Sequence, residues 1–462
     1  MIMYSKSIQR LSCAIALLLL PGLLQSLEVG FEISNVTAAT DNVDQNNRGL
    51  EIEGAVNTST LTVFGSHASS RLAAGFLGEL GGQRRFQSVI DDEASSITRF
   101  FGSIDLELTR QISWYFGTVL GGSLTDNAVA VTNETELLRN RRSVFLTGPE
   151  LDLQFSSVQR LEGHLFTIVN SDDDGSSLPD FLELELDYSH QLGGGLAWGA
   201  TLDNIRAQNS STDPDFDRLT FGLTGSRTRN LNTWEALIGG TRFDSDEGNA
   251  FETTGAIAQL RYRRQFSEIN EVFAEVSRSI VDDTLSETNS LLTTGNARVA
   301  ETPGVFNDTV FRIGQTYGST ITSFAWDVGF GDADFEGIVD GAGFTTAAVD
   351  LQDQRRTFAN LNFTRSLSPK FSAGLTFNYQ FEEFLNLPDN SESFLGAATI
   401  SYFFGDFRLN LTYQGELMDE LDTMDGGREI TDVIENQILI VLIYSPPTRA
   451  QREQVERLRT LL

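Results

Sequence analysis

Glu183, Glu185 and Asp187 stand at alternate positions of one run, with Leu182, Leu184, Leu186 and Tyr188 interleaved. A period of two puts the carboxylates on one face of an extended strand and the apolar side chains on the other. Asp105 and Glu107 repeat the arrangement against Ile104, Leu106 and Leu108, and Asp152, Asp203 and Asp327 sit in comparable runs. Arg99, Arg261, Arg263, Arg312 and Arg408 place guanidinium groups in the same setting. If these faces line a water-filled space, opposed walls of acid and arginine create a transverse field that orients polar solutes. Arginine can also hold carboxylates or sugar acids through two hydrogen bonds. The plainer expectation is that such charges hydrate the wall and pair with one another.

Other chemistry is thinner. Asn170, Asp172 and Asp174 present oxygens at alternate positions before Gly175, which is how a calcium loop begins, but Phe181 stands where the twelfth-position Glu belongs. A plain acidic loop is the better expectation there. His67, His164 and His190 are far apart, and no spacing suggests a zinc site or a hydrolytic triad. The residues point to neither an enzyme nor a resident cofactor.

The elements that must carry these side chains are strands. From Phe371 to Phe381 the odd positions read Phe, Ala, Leu, Phe, Tyr, Phe, while Ser372, Gly374, Thr376, Asn378 and Gln380 intervene. Ile400, Tyr402 and Phe404 against Thr399 and Ser401, then Phe407, Leu409, Leu411 and Tyr413 against Arg408, Asn410, Thr412 and Gln414, continue the pattern. Short turns are expected at residues 67–70, 110–112, 157–161, 191–194, 230–232, 266–270, 318–320, 366–370 and 405–406. Long acidic loops, including 282–304 and 332–354, alternate with them. The short turns carry Arg110, Arg160, Arg229, Arg264, Arg365 and Lys370, so charge is polarised along the strand direction.

Composition agrees. With 33 Lys+Arg against 64 Asp+Glu, the net charge of −31 argues against a nucleic-acid partner. Only 40% of residues are apolar, and after Leu27 no run is long and uncharged enough for a membrane-spanning helix. Lys6 and Arg10, the apolar stretch Leu11 to Leu20, Pro21-Gly22 and Ser26 read as a secretory signal over residues 1–26. The single cysteine, Cys13, lies within it, so no disulfide forms. An exported chain with some twenty alternating segments and long–short loop alternation is expected to be all-β. It reads as one transmembrane antiparallel up-and-down β-barrel of about 18–20 strands over residues 27–445. In that reading the long loops face outward and the short turns face the periplasm.

The last segment, Ile438 to Tyr444, is apolar on both faces. Beyond Pro446-Pro447, Val455, Leu458 and Leu462 recur at helical spacing among Arg449, Arg452, Arg457 and Arg459. A short periplasmic helical tail over 446–462, docked at the barrel mouth, is therefore expected.

Thr40-Asp41-Asn42-Val43, followed by Gly49 to Glu53, and the strand phrase Leu367 to Leu375 carry a resemblance. They resemble β-barrel porins found with bacterial exopolysaccharide and exosortase (PEP-CTERM) loci, the beta-barrel porin 2-like family. The resemblance implies an outer-membrane channel for exopolysaccharide secretion, working with a periplasmic polysaccharide export protein and an inner-membrane polymerase. A general or solute-selective porin, or an adhesive barrel with a closed lumen, are the alternatives. Expected partners also include outer-membrane lipid, lipopolysaccharide and the barrel assembly machinery.

Overall fold

A computed structural model describes residues 28–41, 53–87, 93–123, 141–172, 180–208, 215–245, 252–282, 304–338, 353–384, 390–422 and 429–445. Nearly all of them belong to strands. The first ten are β1 (Glu28–Thr40), β2 (Gly54–Ala68), β3 (Leu72–Gln87), β4 (Glu93–Thr109), β5 (Ile112–Ser123), β6 (Arg141–Ser156), β7 (Gln159–Asp172), β8 (Asp180–Gly193), β9 (Leu196–Gln208) and β10 (Phe216–Arg229). The second ten are β11 (Asn232–Ser245), β12 (Glu252–Ser267), β13 (Asn270–Asp282), β14 (Gly304–Gly318), β15 (Thr322–Ile338), β16 (Gln354–Ser368), β17 (Phe371–Phe384), β18 (Asn390–Phe404), β19 (Phe407–Asp422) and β20 (Glu429–Tyr444). Each strand pairs antiparallel with its sequence neighbours, and β1 pairs with β20, closing an up-and-down barrel of 20 strands. β2 runs unbroken through Asn57 to Thr60, and the count stands at the upper end of the expected 18–20 strands.

All nine expected short turns join hairpins at one end of the barrel, where the first and last strands also begin and end. Gly193, Gly194 and Gly195 take φ of +86°, +61° and +75° in the β8–β9 turn. A side chain at Gly195 would place its Cβ 1.9 Å from the Thr228 carbonyl oxygen. Only glycine fits that turn. At the other end the strands run further than the sequence suggests: β15 continues to Ile338, into the expected loop at 332–354, and Asp180, Asp217, Asp244, Glu416, Asp419, Glu420 and Asp422 are strand residues. Pro149 lies inside β6. It faces Trp114 on β5, and the pairing of β6 with β7 lapses between Thr147 and Glu150, so its missing N–H breaks no ladder bond on that side. The expected signal segment, the expected C-terminal helical tail and most of each expected long loop fall outside the described residues.

Curvature tells the two faces apart. Side chains on the convex face splay apart, and those on the concave face crowd together. Ile238 and Leu375 are 67% and 52% exposed, whereas Phe181 is 1% exposed. The convex set is apolar and edged with aromatic rings at the short-turn end. Phe371, Tyr402, Phe404, Phe407, Tyr444 and Phe31 form an unbroken chain of ring contacts with centroids 4.6–6.2 Å apart. Trp114, the Tyr188–Trp198 pair and the Trp234–Tyr262 pair occupy the same level on other strands. Amphipathic rings at that level are the girdle of a membrane barrel. One polar patch interrupts the band: Asn35 donates to Ser59 at 2.8 Å, Asn57 donates to Thr37 at 2.7 Å, and the two amides face each other at 3.3 Å. Their polar groups satisfy one another, which makes the patch tolerable in an apolar setting.

The closing seam is clasped at its loop end. Thr40 Oγ1 donates to Glu435 at 2.7 Å. The backbone N–H and side-chain amide of Asn436 donate to the two Asp41 carboxylate oxygens at 2.7 and 2.8 Å, and Tyr413 donates to Asn436 at 2.8 Å. Thr40 and Asp41, the first residues of the Thr-Asp-Asn-Val motif, thus hold first strand to last.

Candidate functional site on the inner wall

Cross-strand registry keeps one parity inward around the whole circumference. All thirteen charged residues singled out in the sequence stand on that inner face, but they are not arranged as two opposed walls of acid and base. Asp105, Glu107, Asp152, Glu183, Glu185, Asp187 and Asp203 lie on β4 to β9, and Asp327 on β15. Arg99 is on β4, 4.0 Å from Glu79, while Arg261 and Arg263 are on β12, Arg312 on β14 and Arg408 on β19.

On β11 to β16 charges form local pairs. Arg263 bonds Glu235, Arg261 lies 3.6 Å from Glu275, Arg312 donates to Asp327 at 3.0 Å, and Arg356 bonds Asp308. Asn360 adds a 3.1 Å hydrogen bond to Asp327. The guanidinium groups of Arg261 and Arg312 also approach the Phe273 ring, at 5.7 and 5.3 Å from its centroid. Further round, β16 to β19 turn an amide and hydroxyl surface inward. Thr376 donates to Asn362 at 3.0 Å, Asn360 faces Asn378 in register, and the Thr399 and Thr412 hydroxyls are 2.9 Å apart.

The wall from β4 to β9 is different. Ser113, Glu150, His164, Glu185 and Asp203 stand in register as one row across β5 to β9. Ser113 donates to Glu150 at 2.9 Å, and Asp203 takes Arg218 at 3.1 Å. In the adjacent row Asp152, Glu162 and Asp187 are in register. Arg160 grips Asp152 with two hydrogen bonds of 2.8 and 2.7 Å and reaches Glu162 at 2.9 Å. These rows open onto a recess of about 540 Å³ lined by seven carboxylates against Arg71, Arg110 and His164. The imbalance makes the recess a cation-attracting surface.

His164 is the residue that sequence reasoning set aside. Its Nε2 lies 3.6 Å from Glu185 and 3.9 Å from Glu183, and its ring stacks on Phe166 at 4.2 Å. The spacing of Glu183 and Glu185 was visible, but not the registry that brings a histidine 19 residues away onto them. Elsewhere, inward apolar residues form a continuous ridge that includes Phe64, Leu77, Phe101, Val144, Ile168, Phe181, Phe216 and Phe243. The inner face is therefore not uniformly polar, as alternation alone suggests. In the loop once compared with a calcium site, the Asn170 N–H donates to Asp180 at 2.9 Å, fixing the mouth of the β7–β8 hairpin. Asp172 ends β7, and Asp174 falls outside the described residues.

A closed antiparallel barrel with an aromatic-edged apolar exterior and a charged interior is the architecture of transmembrane β-barrels. Solved structures agree on the fold. The chain is similar to the FrpB iron transporter from Neisseria meningitidis (F5-1 variant), with 9% identity, 92% of this chain and 83% of that chain covered, and a TM-score of 0.52. It is similar to the siderophore receptor PirA from Pseudomonas aeruginosa at 9% identity, 90% and 80% coverage and a TM-score of 0.51. The ferric citrate transporter FecA in its unliganded form follows at 11% identity, 90% and 79% coverage and a TM-score of 0.50. At these identities the likeness is one of fold. No protein-family model matches the sequence, and no curated protein matches it.

Proposed function

We propose that the chain is a channel of the bacterial outer membrane, with its short turns in the periplasm and its acidic loops outside. One observation carries the reading: a closed 20-strand wall whose outer face suits lipid and whose inner face holds most of its charge. Twenty strands about 4.8 Å apart and tilted by about 40° enclose a circle about 40 Å across between backbones. Wall side chains alone leave much of that width open. The carboxylate recess gives the proposed channel a preference for cations. Single-channel recording of the purified chain in a planar bilayer tests this: stepwise cation-selective conductance is expected, and silence from folded barrel overturns it in favour of a closed adhesive barrel.

For cargo we favour an exopolysaccharide. The amide and hydroxyl surface of β16 to β19 offers the paired donors and acceptors that sugar hydroxyls use, and the Thr40 to Val43 resemblance points the same way. A periplasmic export protein would then deliver polymer to the short-turn end, and the assembly machinery and lipopolysaccharide would be the membrane partners. The proposal includes no catalytic role. Deleting the chain should abolish secreted polymer while small-solute uptake stays normal; the opposite pattern would make it a diffusion porin.

A further inference from the structure

We propose that His164, Glu183 and Glu185 form a binding site for a divalent transition-metal cation on the inner wall. The three ligand atoms lie within 4.8 Å of one another, one from each side chain, and all three residues are half-buried. Bonds of about 2.1 Å in tetrahedral geometry set ligands about 3.4 Å apart. The His164 distances of 3.6 and 3.9 Å therefore need to close by only a few tenths of an ångström.

The alternative occupant of this space is a proton on His164. Both distances exceed a hydrogen bond, and a single Nε2–H can point at only one carboxylate, leaving the other against like charge. A cation between the three satisfies both carboxylates and the imidazole lone pair together. The ring is already aimed: stacking on Phe166 holds its plane, and registry places it directly opposite Glu185. Asp203, next in the same row, is taken by Arg218 at 3.1 Å and does not compete for the ion. The neighbouring recess leaves room for water in the remaining coordination positions.

A nitrogen ligand beside two carboxylates suits Zn²⁺ or Cu²⁺ over Mg²⁺ or Ca²⁺, which favour all-oxygen sites. The site needs the folded inner wall but not conduction, so it stands independently of the channel reading. The test is Zn²⁺ binding by equilibrium dialysis to the folded full chain in detergent, with millimolar Mg²⁺ present. One Zn²⁺ per chain is expected. H164A, and separately E183Q/E185Q, should weaken it on the order of 10- to 100-fold, and H190A should not. Co²⁺ should give a ligand-field absorption band that H164A removes. Heat-modifiable electrophoretic mobility verifies that each variant is folded. Wild-type binding no tighter than that of H164A, or binding that Mg²⁺ displaces, overturns the site. A barrel that conducts but does not take up Zn²⁺ overturns the site and keeps the channel; one that binds Zn²⁺ but is silent does the reverse.

Discussion

Leu375 and Thr376 are adjacent on β17, yet the fold sends them into opposite media. Leu375 is 52% exposed on the convex face, while Thr376 points inward and donates to Asn362 at 3.0 Å. Leu375 is four residues from Phe371 in the aromatic girdle. At about 3.4 Å per residue and about 40° of tilt, that places it about 10 Å into an apolar band about 25 Å tall. Arginine at that depth on the lipid face costs about 2–4 kcal/mol, which lowers the folding equilibrium between about 30-fold and about 900-fold. Arginine at Thr376 meets water and neighbouring polar groups, and loses at most one hydrogen bond, about 0.5–1.5 kcal/mol. Urea titration of L375R and T376R in lipid vesicles, followed by the heat-modifiable shift in electrophoretic mobility, compares the two. Equal midpoints, or a larger loss for T376R, would refute the assignment of inner and outer faces and with it the channel.

Three further outcomes follow from the geometry. Neutralising the inner row as E183Q/E185Q/D187N should reduce the cation-to-anion permeability ratio, read from reversal potentials in a salt gradient. An ion passing about 8 Å away feels about 0.2 kcal/mol per screened charge, so the three together change the ratio up to roughly sevenfold, and an unchanged ratio would show that ions bypass this wall. Removing the seam clasp with D41A discards both hydrogen bonds from Asn436 and should destabilise the barrel by about 1.5–3 kcal/mol, seen as a lower urea midpoint. G195A, with φ of +75° and its Cβ 1.9 Å from the Thr228 carbonyl, should cost more than about 1 kcal/mol, whereas G225A, whose Cβ meets no atom within 4 Å, should cost less.

What could be read from sequence was whatever one strand expresses by itself. The alternation from Phe371 to Phe381 gives the strand and its two faces, and the nine short turns give the count, because a two- or three-residue connection permits only an antiparallel partner. Registry is different, since it depends on turn length and local irregularity in both strands. His164 comes opposite Glu150 through the β6–β7 pairing, whose register shifts between Gln154 and Ser156, and opposite Glu185 through the separate β7–β8 pairing across a long loop. Nothing within residues 150–190 marks that alignment. The inward ridge was hidden for another reason: Phe64, Phe181 and Phe243 lie near strand ends, where alternation is too short to say which face an aromatic takes.

The two charged walls differ in where each partner originates, and this decides what the lumen does. On β11 to β16 every arginine named above finds its carboxylate on a nearby strand, so each pair is electrically closed and reaches little beyond itself. On β7 to β9, Glu183, Glu185 and Asp187 stack along one strand while Glu162 and Asp203 flank them in register. His164, opposite Glu185, is the one basic side chain in register with these three. Arg160 and Arg218 compensate only Asp152, Glu162 and Asp203. Seven carboxylates face Arg71, Arg110 and His164 in the recess, so acid outnumbers base along this wall. Cations drawn from solution would screen this excess, and the proposed channel would then hold a raised cation concentration along this wall. The proposed cation selectivity and the proposed capture of a nitrogen-preferring metal at His164 would then share one electrostatic origin. Raising ionic strength should weaken the first by screening, while the coordinate bond to His164 should leave the second largely intact.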